Sequence, residues 1–509
     1  MNFLIIQLLL AGSCLWAQQP KKVTDKFFPD PEGVTINTPS FEKKSGFTSY
    51  KEMMEFLKRL SEKYPSLIKI ELVGKTQREN DIPLVYVHKD SPGEKLRILY
   101  TARIHGDEPA GTDAMLYFIE RLAEDPSVST LLEKIDFYIM PMVNIDGAAK
   151  MERYTANGLD LNRDMTRIET PEAAVFYSVV RKTEPDVYAD FHEYQPVRRD
   201  FASLTNSVIS TPWDVMFLFS SNPNVPQVLR DAVDNLFVAN ATKIMDSNHL
   251  TSHTYYTSRE TSQGITFNIG GSSARSTSNA MALHNTLSIL VEARGINLSR
   301  TSLLRRVNTV YLLAESFART AFDNQTKIKQ YIADAIADKS DIAVKFSSKR
   351  VDNMPLPFID MIKNNKVTIE VPAAIAAEYT INKKRTLPTA YYILPSQKRA
   401  IDILQQTGIE TQTLTEPETV NVDVFTVKTI RNGEPLGNIT PADVAVDMQE
   451  KKITFPSGTV VVPANQRNFR MATVLLEPEA ANGFVNYRVI ETKQGEELPI
   501  YRITKNKGY

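Results

Sequence analysis

The chain of 509 residues carries a single cysteine, Cys14. One thiol excludes an internal disulfide framework and any metal site built on several thiolates. Because Cys14 lies in an N-terminal apolar segment read below as removable, the mature chain would have no thiol, and a metal would have to rest on histidine and carboxylate. An excess of charge is also missing. With 59 basic against 60 acidic side chains, no overall field favours nucleic acid or an anionic membrane. Beyond the first residues no apolar run approaches a transmembrane span, and there is neither an internal repeat nor a low-complexity tract. What is present is ordinary: 42% hydrophobic residues over this length support a sizeable core and two or more domains.

The first residues, MNFLIIQLLLAGSCLWAQQP, hold an apolar run of about 15 residues, short for a bilayer and suited to the h-region of a signal peptide. Residues 1–17 are therefore read as a signal peptide, with Ala17 at the cleavage point, and the protein as secreted or periplasmic in a bacterium. No Lys or Arg precedes the run. Two alternatives stand beside this reading. One is an uncleaved anchor. The other is a lipoprotein acylated at Cys14, because AGSC loosely resembles a lipoprotein cleavage box with its leucine displaced by one.

A polar, Pro-rich lead covers residues 18–45. Then SYKEMMEFLKRLSEKYP reads as a helix with Ser49 as N-cap and Pro65 as its stop. LIKIELV, IPLVYVH, LRILYTARI, IDFYIMPMV and VYADF read as strands, GTDAMLYFIERLAED and PEAAVFYSVVRKTEP as helices, and LHNTLSILVEA as a helix-to-strand run. Alternation of this kind predicts an α/β fold over 46–323, an open mixed sheet flanked by helices. From about Asn324 the texture changes. IAVKFS, KVTIEVP, TAYYILP, VNVDVFTVKTI, KKITFPSGTVVVP and NFRMATVLLEP look like strands, and only IADAIAD and QKRAIDILQQTG look helical. Residues 324–509 are read as a smaller, mainly β C-terminal domain without a chemical motif.

The chemistry begins in LYTARIHGDEPAGTDAM, where an apolar strand ends in His105-Gly-Asp-Glu108. A histidine and a glutamate three apart on one helical turn project to the same side. Alone this is weak, since an exposed His and an N-terminal helix Glu favoured by the dipole look the same. Catalytic zinc commonly takes three protein ligands, and without cysteine the set is two His and a carboxylate. The histidines are His88, His105, His192, His249, His253 and His284. His192, in VYADFHEYQP, is placed like His105 at a strand end. Pro196 stands where H-E-x-x-H needs its second histidine, so a thermolysin-like helix is excluded. Ligands of open α/β sheets bind outside the carboxyl ends of the strands. His105, Asn144, His192 and Glu292 all occupy such ends, as does His88 nearby. Glu292 follows Ser-Ile-Leu-Val, a desolvated setting that raises a carboxyl pKa and suits a general base; the alternative is a salt bridge with Arg294.

Between Asn144 and Asp164 the sequence reads NIDGAAKMERYTANGLDLNRD. With H-x-x-E before it and a distant His and Glu after it, the chain resembles the zinc carboxypeptidase family, M14 in peptidase nomenclature, over roughly Gly46 to Asp323. The resemblance implies one zinc ion per chain on His105, Glu108 and His192, with Glu292 activating water as general base and acid. It further implies that Arg153 stabilises the oxyanion, that Asn162 and Arg163 grip the substrate's terminal carboxylate, and that Asp160 hydrogen-bonds a ligand histidine, expected to be His105. NIDG and NRD depart slightly from the family's N-P-D-G and N-R-N. The family's closing tyrosine is missing from GITFNIGGSSARS, where Thr266 or Phe267 takes its place, with Tyr255 and Tyr256 as nearby candidates. Arg275 is a candidate for the specificity pocket, where it would favour an acidic side chain or a peptide carboxylate, or make no substrate contact. His249 and His253 are read as loop residues near the cleft.

The implied function is a metallocarboxypeptidase acting on a peptide or peptide-like substrate with a free carboxylate, with no nucleic-acid partner. A rival reading is an amidase or deacylase of the same fold acting on peptidoglycan stem peptides or N-acyl amino acids. A third is a non-catalytic binding protein that uses the β segment.

Overall fold

The protein is described here from a computed structural model covering residues 19–262, 264–435 and 439–504. The expected signal segment, Ala17 and Cys14 lie outside the described residues. Among them no helix is long and apolar enough to cross a membrane.

An eight-stranded mixed sheet dominates the first half. Across it the strands run Ile68–Lys75, Asp81–Val87, Ile135–Met140, Leu96–Ala102, Val187–Tyr194, Leu287–Arg294, Val215–Phe219 and Ser252–Thr254. The four central strands are parallel, and the neighbours on both sides, Asp81–Val87 and Val215–Phe219, are antiparallel to them. Their near-continuous apolar runs follow from burial on both faces: every residue of Val187–Tyr194 is buried. Helix Ala110–Glu124 packs on Leu303–Asp323, while Pro171–Thr183 lies against the Ile68–Lys75 edge. The helix foreseen after Ser49 spans Tyr50–Lys63 and begins with a reciprocal capping box between Ser49 and Glu52.

A second sheet interleaves both halves of the chain, in the order Ile209–Ser210, Ile342–Asp360, Asn365–Arg385, Gly264–Ile269, Tyr256–Thr261. Two long strands, Ile342–Asp360 and Asn365–Arg385, form a hairpin, and the second pairs in parallel with Phe267, Asn268 and Ile269. Phe267, Phe358, Leu356, Val371 and Phe201 form a compact apolar cluster beneath it. A third sheet of six strands, between Ala390 and Ile503, is antiparallel. One hydrophobic core nonetheless runs from Ile98, Phe191 and Val291 through to Tyr391, Phe469 and Leu475.

One expected strand is a helix. NFRMATVLLEP folds as Phe469–Leu476, and all eight residues of that helix are buried. An element covered on every side shows no two-fold alternation and no helical stripe, so its period could not be read from the sequence. The polar lead also contains structure. Lys21–Phe27 is helical and places Val23, with Phe28, against Ile359 and Met361.

Candidate metal centre and substrate cleft

His105 stands just beyond the strand Leu96–Ala102. The chain turns there through Arg103, whose φ of 56° lies in the left-handed region and whose buried guanidinium bonds the Gly106 and Thr48 carbonyls at 3.0 Å each. Gly106 is required by proximity: a Cβ on it would sit 2.1 Å from the Gly147 carbonyl carbon and 2.3 Å from Ala148 N. The H-G-D-E turn and the N-I-D-G turn therefore touch backbone to backbone. Asn144 caps the helix Ile145–Lys150 by accepting Gly147 N (2.9 Å) and donates to the Arg153 carbonyl (3.2 Å). Asp146 accepts from Thr76, Arg78 N and Asn80. The Asn144–Gly147 motif is thus scaffolding that fixes where Arg153 stands.

Distant parts of the chain meet at His105, Glu108 and His192, all buried. His105 Nδ1 lies 2.7 Å from Glu108 Oε1 and 3.1 Å from His192 Nδ1, and His192 Nδ1 lies 2.8 Å from Glu108 Oε2. Each imidazole turns its other nitrogen to a carboxylate: His105 Nε2 to Asp160 Oδ1 at 3.1 Å and His192 Nε2 to Asp190 Oδ2 at 2.7 Å. Burial would raise Glu108, but the two imidazoles hold it well below the ordinary carboxyl range. Burial would likewise raise Asp160, which His105, Arg153 and Arg163 hold far below its usual value.

These residues fit a metal. Three donor atoms from two imidazoles and a carboxylate lie within 4.8 Å of one another, so one ion reaches all three, and a carboxylate behind each imidazole fixes its tautomer with Nδ1 free for the cation. The set matches a two-His, one-Glu zinc site. Asp160 takes the position expected for it. Asp190 was not singled out from the sequence, although it lies two residues before His192 on one strand and so on the same face. Replacing Asp190 with Ala should weaken zinc binding by about 10- to 100-fold, read by competition with a chelating dye.

Glu292 lies opposite His192 in register on the adjacent parallel strand and lines the same cavity as His105 and Glu108. Burial and, secondarily, the Glu108 charge push its carboxyl up to about 7, against the pull of His192, His105 and Arg153. Arg294 lies elsewhere, bonded to the Thr211 carbonyl, Ser210 and Gln19. Arg153 also borders the cavity, with Nη2 and Nε on Asp160 Oδ2 at 2.9 and 3.1 Å. Burial works against its charge, which Asp160 and Glu108 more than restore.

Asn162 and Arg163 lie on the turn Leu161–Arg163, capped by Asp160. The Asn162 amide oxygen is committed to Thr277 N (2.8 Å), which leaves its NH2 as the donor for the cavity. Arg163 bonds its neighbour's carbonyl and, among the described residues, forms no ion pair. Asp164, the departure in N-R-D, accepts from Glu169 N and from Thr170 N and Oγ1, and thus shapes the turn into the next helix. Burial pushes it up to about 6.

Glu193, also on the cavity wall, is buried against Arg306 (2.8 Å from Nε, 2.5 Å from Nη2). Removing one partner of a buried pair leaves an uncompensated charge. Arg306→Met should cost about 3–5 kcal/mol of unfolding free energy in urea.

Some expectations fall outside the cleft. Arg275 does not line the cavity that holds Glu292. It borders a neighbouring one with Arg163 and Arg167, its guanidinium 5.9 Å from the Tyr487 ring and its Nε on Ser273. The C-terminal segment, through Tyr487, holds it there. Phe267 is core and Thr266 lies off the cavity, whereas Tyr255 and Tyr256 line it. His253 stacks on Trp213 at 4.7 Å, and His88 stacks on Tyr86 at 4.8 Å. Neither these two nor His249 borders the cavity. Arg198 does border it and was not foreseen, because no periodicity marks the loop that carries it.

The parallel-sheet strand ends and their converging donors define a metallopeptidase. The profile of the zinc carboxypeptidase family (Peptidase M14) matches residues 53–297. Carboxypeptidase 2 of Trichophyton rubrum is 25% identical over 505 residues, covering 94% of this chain and 92% of that protein. Carboxypeptidase SOL1 of Arabidopsis thaliana is 30% identical over 135 residues, covering 25% of this chain and 27% of that one. Among solved structures, carboxypeptidase A from Helicoverpa armigera superposes with a TM-score of 0.43 at 17% identity, over 61% of this chain and 80% of that one. Residues 53–297 carry the zinc carboxypeptidase family match, and the protein is an enzyme of the metallocarboxypeptidase class.

Proposed function

We propose that the protein is a zinc-dependent exopeptidase that removes the last residue from a peptide with a free terminal carboxylate, with zinc on His105, Glu108 and His192. The observation that carries this reading is that one cavity, about 250 Å3 in volume, brings together His105 and Glu108 of that cluster, Glu292, Arg153 and Arg163, which forms no ion pair among the described residues. Bound zinc supplies a Lewis acid that polarises a carbonyl and lowers the pKa of water. Glu292, buried and therefore basic, takes a proton from the attacking water and returns it to the leaving amine. The Arg153 guanidinium faces the carbonyl oxygen as negative charge develops there, held in place by Asp160. The Asn162 NH2 and the Arg163 fork receive the terminal carboxylate, so that only the last peptide bond reaches the cluster.

An amide substrate without that carboxylate leaves the Arg163 charge unanswered in the cleft, whereas a peptide or an N-acyl amino acid with a free carboxylate answers it. The test is a pair of identical peptides, one a free acid and one a C-terminal amide, followed by mass spectrometry. The free acid should shorten by one residue at a time, with the amide slower by about 100-fold or more. Equal rates, or cleavage at an internal bond, would overturn the assignment.

A further inference from the structure

We infer that Arg198 selects the side chain of the residue removed, favouring glutamate and rejecting lysine and arginine. The inference deepens the exopeptidase reading above and rests on it. Away from the metal cluster the cavity wall carries an apolar stretch of Phe201, Met216, Leu218, Tyr256, Leu290 and Ile296 beside polar groups such as Gln195 and Thr257. Arg198 is the cationic group on that wall which neither the cluster nor the carboxylate grip uses.

The bonding of Arg198 shows how it is held. Nε and Nη2 meet Asp200 Oδ1 and Oδ2 at 3.1 and 3.2 Å, and Nη2 also donates to the Ser258 carbonyl at 3.0 Å. Ser258 Oγ in turn donates to Asp200 Oδ2 at 2.6 Å. One edge of the guanidinium is thus fastened to two separate chain segments. Nη1 has no protein acceptor among the described residues. A guanidinium fixed by one edge presents the other as a preorganised donor, which suits an acceptor at the tip of a short chain of methylenes.

Besides the general base Glu292, a cationic side chain finds one cavity carboxylate without an ion pair among the described residues, Asp107, and that one stands at the metal cluster and not beside the apolar stretch. Asp200 lies behind Arg198 and does not line the cavity. Glu193 is taken by Arg306, Glu108 by the two imidazoles, and Asp107 stands beside Glu108 at the cluster. Lysine would lose its hydration and meet a like charge. Glutamate would pack its methylenes on the apolar wall and hydrogen-bond Nη1.

The test uses the full chain, zinc-loaded, and peptides that differ only in the last residue: Glu, Gln, Leu or Lys. For the unaltered protein kcat/KM should favour Glu over Lys by at least about 100-fold and over Leu by about tenfold, mostly through KM. Arg198→Leu should reverse the Glu:Leu preference. Asp200→Asn, which keeps an acceptor for the guanidinium but removes its counter-charge, should raise it, a change that a purely structural role for the pair would not produce. A Lys-ended peptide processed as well as the Glu-ended one overturns the inference, as does a Glu:Leu ratio unmoved by Arg198→Leu. If Arg198→Leu does not fold, the ranking by the unaltered protein and by Asp200→Asn decides. Release of nothing from any of the four peptides overturns the exopeptidase reading itself, an outcome distinct from release with the wrong preference.

Discussion

Stripping the metal with a strong chelator should abolish peptide hydrolysis, and one equivalent of zinc per chain should restore it. The Nδ1 atoms of His105 and His192 and the Glu108 carboxylate, all acceptors once each Nε2 donates to its own carboxylate, face one another at 2.7–3.1 Å, a grouping that a dication neutralises. Without the ion, nothing in that arrangement activates a carbonyl. The same removal should lower thermal stability, because an ion that binds only the folded chain adds RT ln(1 + [L]/Kd), about 4 kcal/mol at a thousandfold excess over Kd. The measurement is elemental analysis beside activity and melting temperature. Full turnover in protein shown to hold no metal would end the assignment.

Glu292→Gln should lower kcat by about 10³- to 10⁴-fold while zinc stays at one per chain and KM changes little. The separation of effects follows from geometry. Glu292 is not among the three grouped donors, yet it sits opposite His192 in register and lines the same cavity. Glutamine keeps the volume and cannot accept the proton. Activity within tenfold of the unaltered protein would remove the role of base, whereas loss of zinc along with activity would show that Glu292 helps to hold the ion.

His105, His192 and Glu292 could be picked out from the sequence because they follow or end apolar strands, Glu108 by its spacing from His105, and the family resemblance around Asn144–Asp164 pointed to the loop beside them. Six strands of the eight-stranded sheet were legible, the central ones such as Val187–Tyr194 by continuous burial, whereas Val215–Phe219 and Ser252–Thr254 were not foreseen. What escaped was of another kind. The helix Phe469–Leu476 is covered on all sides and has no exposed face to set its period. Phe267, in the position where a closing tyrosine was looked for, is consumed by contacts with Phe201 and Phe358. Those contacts join loops to a hairpin far along the chain, and spacing in sequence carries no information about them. Arg275 and Arg198 were indistinguishable as letters. Only packing against Tyr487 in one case and the Asp200 fork in the other separates them.

The pairing of Phe267–Ile269 with Ala373–Ile375 sets an order of events during synthesis. The first of these strands leaves the ribosome roughly a hundred residues before its neighbour exists, so at ordinary translation rates its hydrogen-bonding edge stays bare for about 5–20 s. A bare β edge recruits other chains. The nascent enzyme therefore passes through an aggregation-prone interval whose length is set by elongation, and the apolar cluster of Phe201, Phe267 and Phe358 is complete only after the hairpin has emerged. A chain released early would carry all three donors for its ion and leave Phe201, on the cleft wall, without the Phe358 ring that packs behind it.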